Sequence, residues 1–358
     1  MPVCHPWPVS WRFEGTRCLM LLLMSTSLLV IVSGAAAESK RIVLLESMSV
    51  PAVQSHSRWF AKSMQKIAAD EGWSLELEEY NAEGDWGRAE DLLRKALADG
   101  RPDVVVSNAT LASKTADRVL AGLGIPLVFM TVSDPVGAGL IEQIGHPGGR
   151  YITGKVHAIN RETRIGIMMQ LIGDAIAHRP VRIGFIHSAY PSAMGDIREL
   201  KAAVQGRDDV NIIPRQVPYG HMSEGVGAML EMVRDGIVEL EAKVDFWWEP
   251  SGPLGESNEY TRLLLDRSAR PIIMGLKSAS VRLGAIMHLS PNEQATGEDV
   301  ALLVRAVLDG ADPGSLPATP PDRFDLGINL TEALAAGFVV PPDLLELAGR
   351  NVYRQDTP

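Results

Sequence analysis

The chain has little cysteine and few aromatic residues. Cys4 and Cys18 are its two cysteines, both near the N-terminus, and aromatic side chains make up 6% of its 358 residues. Beyond Cys18 the sequence therefore offers no disulfide, no thiolate nucleophile and no cysteine-based metal site. Its stability must come from ordinary apolar packing, and 46% hydrophobic residues are ample for two domain cores.

A basic surface and the common catalytic motifs are also missing. The formal net charge is -10 at pH 7 and no cluster of Lys and Arg stands out, so nucleic acid is not an expected partner. There is no G-x-S-x-G elbow, no H-E-x-x-H, no P-loop and no G-x-G-x-x-G after the first strand. The histidines lack the spacing of metal ligands. We therefore expect no enzyme, no bound metal and no cofactor.

The N-terminal sequence is typical of an export signal. Arg12 and Arg17 precede a 15-residue apolar stretch, residues 18–32, and an Ala35-x-Ala37 site follows. This pattern predicts a secretory signal peptide over residues 1–37, cleaved after Ala37, and a periplasmic mature protein. The alternative is an uncleaved membrane anchor, for which the apolar stretch is short.

Short apolar runs alternate with amphipathic segments along the rest of the chain. The first half has predicted strands at residues 42–45, 75–80, 104–107 and 127–132 and helices at residues 55–71, 86–99 and 111–123. After a Gly/Pro-rich break at residues 145–149, predicted strands follow at residues 182–187, 211–217, 244–248, 271–275, 283–289 and 324–330. Helices are predicted between them at residues 161–177, 192–205, 223–240, 257–268 and 293–308, and two short ones at residues 331–336 and 342–348. The alternation predicts an α/β fold of two doubly wound parallel-sheet lobes with a ligand cleft between them.

Residues 126–140, PLVFMTVSDPVGAGL, are the stretch around which this prediction is organised. A short apolar run, typical of a strand covered on both faces, leads into a loop of Ser, Asp, Pro and Gly. Ligands of parallel α/β sheets bind at the carboxyl ends of strands. We therefore expect this loop to form one wall of the binding site.

These residues resemble a known family. PLVFMTVSDPVGAGLI, followed by HPGGRYITGKV at residues 146–156, is similar to two blocks of the tryptophan/tyrosine-type ABC transporter substrate-binding proteins. NAEGD at residues 81–85, RPDVVVSNAT at residues 101–110 and the ending at residues 324–352 match further blocks of that family. The resemblance implies a type I periplasmic-binding-protein fold and delivery of a small solute, often an amino acid, to a membrane permease.

By the same analogy, the chain crosses between lobes near residues 151–156, 289–292 and 321–324. The N-terminal lobe is then residues 38–154 plus 290–321, and the C-terminal lobe is residues 155–289 plus 322–358. The sequence departs from the family after the third strand of the second lobe, where Glu249 and Pro250 stand in place of an acidic residue and Asn. Arg150 replaces another Asn of the family pattern.

Candidate ligand-binding residues of the first lobe lie at strand ends. Hydroxyls and backbone N–H groups at a helix start suit a carboxylate, which favours residues 107–110 beside Ser133. Asn108 or Thr110 could instead cap the helix, and Asp134 could hold the turn before Pro135. His56 reads as a surface or capping residue. The first-lobe candidates are Ser47, Met48, Ser107, Asn108, Thr110, Ser133 and Asp134.

Candidates of the second lobe combine aromatic and charged side chains. Tyr190 and Trp248 offer flat faces for stacking, and Glu249 could pair with a ligand ammonium. Because neighbours on a strand face opposite ways, we expect one ring of the Trp247-Trp248 pair in the cleft and the other in the core. Lys277 could neutralise a ligand carboxylate or form a surface ion pair. The second-lobe candidates are Tyr190, Trp248, Glu249, Ser251 and Lys277.

The prediction is a monomeric solute-binding protein that captures a small amino-acid-like or carboxylate ligand and delivers it to an ABC permease. An alternative use of the same fold is a periplasmic sensor that presents its loaded form to a membrane histidine kinase or receptor. A secreted α/β enzyme is the more distant alternative.

Overall fold

The structure, a computed structural model, describes residues 38–220 and 226–354. The predicted signal peptide, its cleavage site and the start of the helix predicted at residues 223–240 lie outside this part. No helix among the described residues has the length and apolar character needed to cross a membrane.

A five-stranded parallel sheet forms the first lobe. Its strands are β1 (Ser39–Glu46), β2 (Ser74–Asn81), β3 (Val104–Asn108), β4 (Leu127–Val132) and β5 (Ile152–Val156), in the order β2-β1-β3-β4-β5. The inner strands β3 and β4 are buried along their whole length, as their unbroken apolar runs predict, whereas the edge strand β2 carries polar residues. Its helices are α1 (Pro51–Glu71), α2 (Trp86–Asp99) and α3 (Thr110–Leu120).

A seven-stranded sheet forms the second lobe. Its strands are β6 (Val181–Ser188), β7 (Val210–Val217), β8 (Phe246–Trp248), β9 (Ile272–Gly275), β10 (Met287–Pro291), β11 (Phe324–Asn329) and β12 (Val352–Tyr353), in the order β12-β11-β10-β9-β8-β6-β7. Its helices are α4 (Arg161–Ile172), α5 (Pro191–Val204), α6 (Gly227–Leu240), α7 (Pro253–Glu256), α8 (Asn258–Arg267), α9 (Ser278–Leu283), α11 (Leu330–Ala335) and α12 (Pro342–Ala348). Strand β11 runs antiparallel to β10, and the other pairs are parallel.

The chain passes between the two sheets three times. It leaves the first lobe after β5, returns after β10 to form α10 (Glu293–Leu308), and leaves again before β11. Helix α10 packs on α1 so closely that a β-carbon on Gly297 would lie 2.6 Å from the Cβ of Trp59. Before β11, Thr319 pairs with Lys155 of β5. We place the lobe boundaries at these crossings, which puts the first of them after Val156 rather than within β5.

The predicted α/β fold of two lobes is confirmed, and the differences are local. The strand predicted at residues 283–289 is wrong in its first half, because α9 extends to Leu283 and β10 begins at Met287. Helix α4 ends at Ile172 rather than at residue 177, since Gly173 terminates it. The short helices α7 and α9 and the antiparallel direction of β11 were not predicted. Four-to-six-residue helices have too few turns to show a periodic pattern.

Candidate functional site

Two neighbouring cavities lie where the lobes meet. The central cavity, of about 60 Å³, is lined from the first lobe by Met48, Thr131 and Ser133 and from the second by Tyr190, Ser192 and Ser251, among others. The hinge-side cavity, of about 350 Å³, lies beside the crossings and is lined by residues of α1, α7, α9 and the start of α10. Both cavities share Ala52, His157, Glu256 and Leu276. Together they form an interlobe cleft whose hinge-side part is the more polar, with walls from both lobes.

Five of the predicted site residues line these cavities. Met48, Ser133, Tyr190 and Ser251 lie on the central cavity and Lys277 lies on the hinge-side cavity. They come from five separate strand ends, which the parallel sheets bring to the same edge of each lobe. The loop of residues 126–140 thus reaches the cleft through Ser133, as expected from the sequence.

Tyr190 brings the second lobe into contact with the first. Its side chain is buried in a cluster that contains Met48 and other first-lobe residues, and its ring lies 4.9 Å from that of Tyr219, centroid to centroid. The hydroxyl of Tyr219 donates to the carbonyl oxygen of Gly84 across the cleft at 3.2 Å. The lobes are therefore in contact with each other, and the Tyr190 ring packs between them.

Ser47, Ser107 and Asn108 hold the backbone of the first lobe. The Ser47 hydroxyl donates to the Asn108 carbonyl and accepts from the Ala112 N–H, while the hydroxyl of Ser107 donates to that of Ser113. The Asn108 amide donates to the Val53 carbonyl and to the Ser57 hydroxyl. These side chains fix the ends of β1 and β3 against α1 and α3, and none of them lines either cavity.

Thr110 and Asp134 line a separate groove at the rim of the cleft. Asp134 accepts a hydrogen bond from the Gly137 N–H at 2.7 Å, which is the turn role considered from the sequence. It also forms an ion pair with Arg198 of α5. Asp134 therefore ties the β4 loop to the second lobe instead of facing the central cavity.

Both tryptophans of β8 are fully buried, so the expectation of one ring in the cleft is wrong. Trp247 donates through Nε1 to the Ser268 hydroxyl at 2.7 Å. Trp248 packs in the core of the second lobe, with the Arg164 guanidinium 4.9 Å from its ring centroid. Helices cover both faces of this sheet, so alternate side chains on β8 meet apolar surroundings on either side.

Glu249 is buried and occupied by donors of its own lobe. Its carboxylate accepts from the Thr261 hydroxyl at 2.6 Å, the Ser280 hydroxyl at 2.5 Å and the Leu276 N–H at 2.8 Å. Burial raises its pKa, and these hydrogen bonds oppose the rise. Glu249 lines neither cavity. In this arrangement it joins β8 to α8 and α9, and its carboxylate does not face the cleft.

Ser251 and Lys277 lie at the cleft but already have protein partners. The N–H and hydroxyl of Ser251 both donate to Asp196, each at 2.9 Å, and Asp196 is held by Arg161 at 2.8 Å. The Lys277 ammonium donates to the Gly255 carbonyl at 2.8 Å. Lys277 forms no ion pair among the described residues, so the surface ion pair considered from the sequence is not present there.

Three polar residues at the junction of the cavities were not among the candidates. His56 of α1 is fully buried, and its ring meets that of His157 edge-on with centroids 4.9 Å apart. Glu256 ends α7, and a β-carbon on Gly255 would lie 1.8 Å from the Pro250 carbonyl oxygen, so only glycine permits this tight turn. Nothing local in the sequence marks these residues, because the helix, crossing and loop that carry them meet only in the folded chain.

The junction holds polar atoms without partners. Within the described residues, His56 Nε2, His157 Nδ1 and Glu256 Oε2 are shielded from solvent and make no hydrogen bond. Burial lowers the pKa of His56 and holds that of His157 well below its ordinary value, so both rings are neutral near pH 7. Burial raises the pKa of Glu256 to about 7. Residues 38–220 and 226–354 contain no group of three or more His, Cys, Asp or Glu side chains placed to hold a metal ion.

Comparison with known proteins places this cleft in context. A family model described as ABC transporter substrate binding protein matches residues 41–217. The tyrosine-binding protein of Clostridioides difficile (strain R20291) is 22% identical over 293 residues, which cover 82% of this chain and 79% of that protein. The structure of the ABC domain from Streptococcus pneumoniae in complex with L-Trp has a TM-score of 0.72 at 19% identity and covers 88% of this chain and 100% of its own. The ligand-free, open structure of a substrate-binding protein with adhesive properties from Clostridium difficile has a TM-score of 0.62 at 17% identity, with 89% and 100% covered.

Proposed function

Because the chain belongs to the ABC transporter substrate-binding proteins, we propose that it captures a small amino-acid-like or carboxylate ligand between its lobes and delivers it to an ABC permease. Proteins of this family bind solutes and are not enzymes. They act outside the cytoplasm, and we propose the periplasm for this chain, reached through removal of residues 1–37.

The observation that carries this proposal is the cleft shared by the two lobes. Its walls combine hydroxyls from both sides, those of Ser133, Ser192 and Ser251, with the aromatic ring of Tyr190. A few fixed polar groups in a concave site with apolar walls are typical of small-molecule sites. Closure of two lobes connected by three crossings buries such a ligand from both sides, which supports binding and release without chemistry.

The ligand is tested by titrating the purified protein with single amino acids and with aromatic and aliphatic carboxylates. Trp59 lines the hinge-side cavity, so its fluorescence should report binding there. A ligand present at a hundred times its Kd adds about 2.7 kcal/mol to the free energy of unfolding, which raises the melting temperature measurably. A protein that responds to no member of the panel in either measurement would contradict the proposed ligand class.

Delivery is tested in cells. Uptake of the labelled ligand should fall when the gene for this chain is deleted and recover when the gene is restored. Uptake that stays unchanged in the deletion strain, with a ligand that binds the purified protein, would argue against a transport role.

A further inference from the structure

Glu256 lies where the two cavities join. It ends α7 of the second lobe and lines both the central and the hinge-side cavity, as does His157, which follows β5. His56 reaches the same place from α1 and contacts the ring of His157. Elements of both lobes therefore surround this carboxylate, so a ligand that spans the two cavities must pass it.

The other carboxylates around the hinge-side cavity have donors from the protein. Glu293 accepts from the Ser55 hydroxyl, and Asp325 accepts from the Asn292 amide at 3.0 Å. Glu249, behind the cavity wall, accepts three hydrogen bonds. Glu256 Oε2 differs from them, because it is shielded from solvent and has no donor among the described residues.

The groups near Glu256 do not neutralise it. Both imidazoles are uncharged near pH 7, since burial lowers the pKa of each. Lys277 attracts the carboxylate electrostatically, but its ammonium donates to the Gly255 carbonyl and forms no ion pair with Glu256 in the described chain. A carboxylate oxygen that is shielded from solvent and has no donor is costly to the folded protein, and a cation or N–H donor from outside the protein would remove this cost.

We propose that Glu256 receives the positively charged nitrogen of the ligand, an ammonium or amidinium group, at the junction of the two cavities. This assignment rests on the proposed function, since it needs a small molecule in the cleft. It makes the ligand a cation or a zwitterion rather than a simple carboxylate. The neutral rings of His56 and His157 also line the hinge-side cavity, and their unpartnered nitrogens offer further hydrogen bonds to the ligand.

The assignment is tested with ligands that differ only in charge. The purified mature protein is titrated calorimetrically with L-tyrosine, with tyramine, which lacks the carboxylate, and with 3-(4-hydroxyphenyl)propionate, which lacks the amino group. L-Tryptophan, tryptamine and indole-3-propionate form a second set, and L-arginine and putrescine extend the panel to other cations. We expect the tightest ligand to carry a cationic nitrogen and its amine-free counterpart to bind at least ten-fold more weakly.

The variant Glu256→Gln keeps the size of the side chain and removes its charge. It should bind the amine-containing ligand about ten- to a hundred-fold more weakly, as expected for a lost hydrogen bond between charged groups, and bind the amine-free analogue as the wild type does. Glu259→Gln is the matched control, because it makes the same chemical change three residues away on the exposed face of α8. It should bind every ligand like the wild type.

A second measurement detects the proton that Glu256 releases when the ligand binds. Burial raises the pKa of Glu256 to about 7; the negative charges of Glu293 and Glu249 add to this rise, and the positive charge of Lys277 opposes it. The rings of His56 and His157, which line the same cavity, stay neutral. A bound cation should ionise the carboxyl, so binding at pH 7 should release about half a proton. Calorimetry in two buffers of different ionisation enthalpy measures this release, which should vanish in Glu256→Gln.

The outcomes separate this assignment from the proposed function. Tighter binding of an amine-free carboxylate, or equal binding of the amine by the wild type and by a folded Glu256→Gln variant, would overturn the assignment and leave solute binding in place. Silence of the wild-type protein toward every ligand would overturn both.

Discussion

Glu249 and Glu256 show how one residue type takes two roles seven positions apart. The carboxylate of Glu249 is surrounded by hydroxyl and N–H donors of α8, α9 and the β9 loop. Glu256 Oε2 has no donor among the described residues, and the ammonium of Lys277 donates to the Gly255 carbonyl. The first carboxylate therefore stabilises the second lobe, whereas the second is left for a ligand.

The pH dependence of stability should show how much the buried Glu256 carboxylate lowers the free energy of unfolding. Because burial raises the pKa of this acid to about 7, the folded protein holds the proton more tightly than the unfolded chain. The contribution of Glu256 to the free energy of unfolding therefore falls as the pH rises from the pKa range of ordinary carboxyl groups to about 7, and it stays low above pH 7. Relative to the wild type, Glu256→Gln should be more stable by about 1–3 kcal/mol at pH 8 and nearly equal at pH 5. Denaturant unfolding at both pH values measures this, and equal stability at pH 8 would count against a buried charge.

Glu249→Gln should behave in the opposite way. The carboxylate accepts three hydrogen bonds, which the single oxygen of an amide cannot accept together. The amide NH₂ would in addition lie against a donor. We therefore expect a loss of about 1–3 kcal/mol in the free energy of unfolding at pH 7. Ligand affinity, measured under conditions where the variant is folded, should change little. A variant with wild-type stability and lost ligand affinity would show that Glu249 contacts the ligand after all.

The helices and strands agree with their sequence-based predictions where they are long and their apolar residues recur regularly. Helix α10 was predicted with its observed bounds, and α2 likewise, because each carries a regular apolar face and a clear cap. Helices α7 and α9 were not predicted, because both are short segments that are stabilised by contacts with other elements. The elements that shape the cleft are thus the ones with the weakest local signal.

The contact between α1 and α10 depends on a single glycine. A β-carbon on Gly297 would meet the Trp59 Cβ at 2.6 Å and the Phe60 nitrogen at 2.8 Å, both firmly placed in α1. Gly297→Ala should force the helices apart and lower the free energy of unfolding by about 1–3 kcal/mol. Gly166→Ala is the matched control, since this glycine of α4 has open space around it, and there alanine should be neutral or stabilising by up to about 1 kcal/mol. Thermal or denaturant unfolding compares the two; a destabilised Gly166→Ala with an unchanged Gly297→Ala would refute the packing argument.

At the scale of the whole described chain, two kinds of contact close the lobes. The Tyr219 hydroxyl reaches the Gly84 carbonyl, and Arg198 pairs with Asp134 at the rim. Arg198 is 57% exposed, so its ion pair should contribute little. The hydroxyl of the half-buried Tyr219 is better placed to bias the balance between open and closed forms.

Tyr219→Phe should shift the protein toward the open form. The lost hydrogen bond is worth about 0.5–1.5 kcal/mol, which corresponds to a change of about two- to ten-fold in the ratio of open to closed molecules. Small-angle scattering or fluorescence energy transfer between labels on the two lobes would measure the shift in the absence of ligand. Tyr80→Phe serves as control, because its hydroxyl donates to Glu78 within the first lobe. An identical distribution of forms in both variants would exclude a role for Tyr219 in closure.

The sequence by itself determined the order of the longer strands and helices, the two α/β lobes and the strand ends at which Met48, Ser133, Tyr190, Ser251 and Lys277 reach the cleft. Such features depend on local periodicity and on the rule that parallel strands end at one edge. The tertiary structure decided which polar side chains serve the backbone and which face the cavities. Glu249 depends on Ser280 of another element, Trp248 on Arg164, and the site of Glu256 on His157 of the crossing. These contacts join residues far apart in the chain, so no local pattern could reveal them.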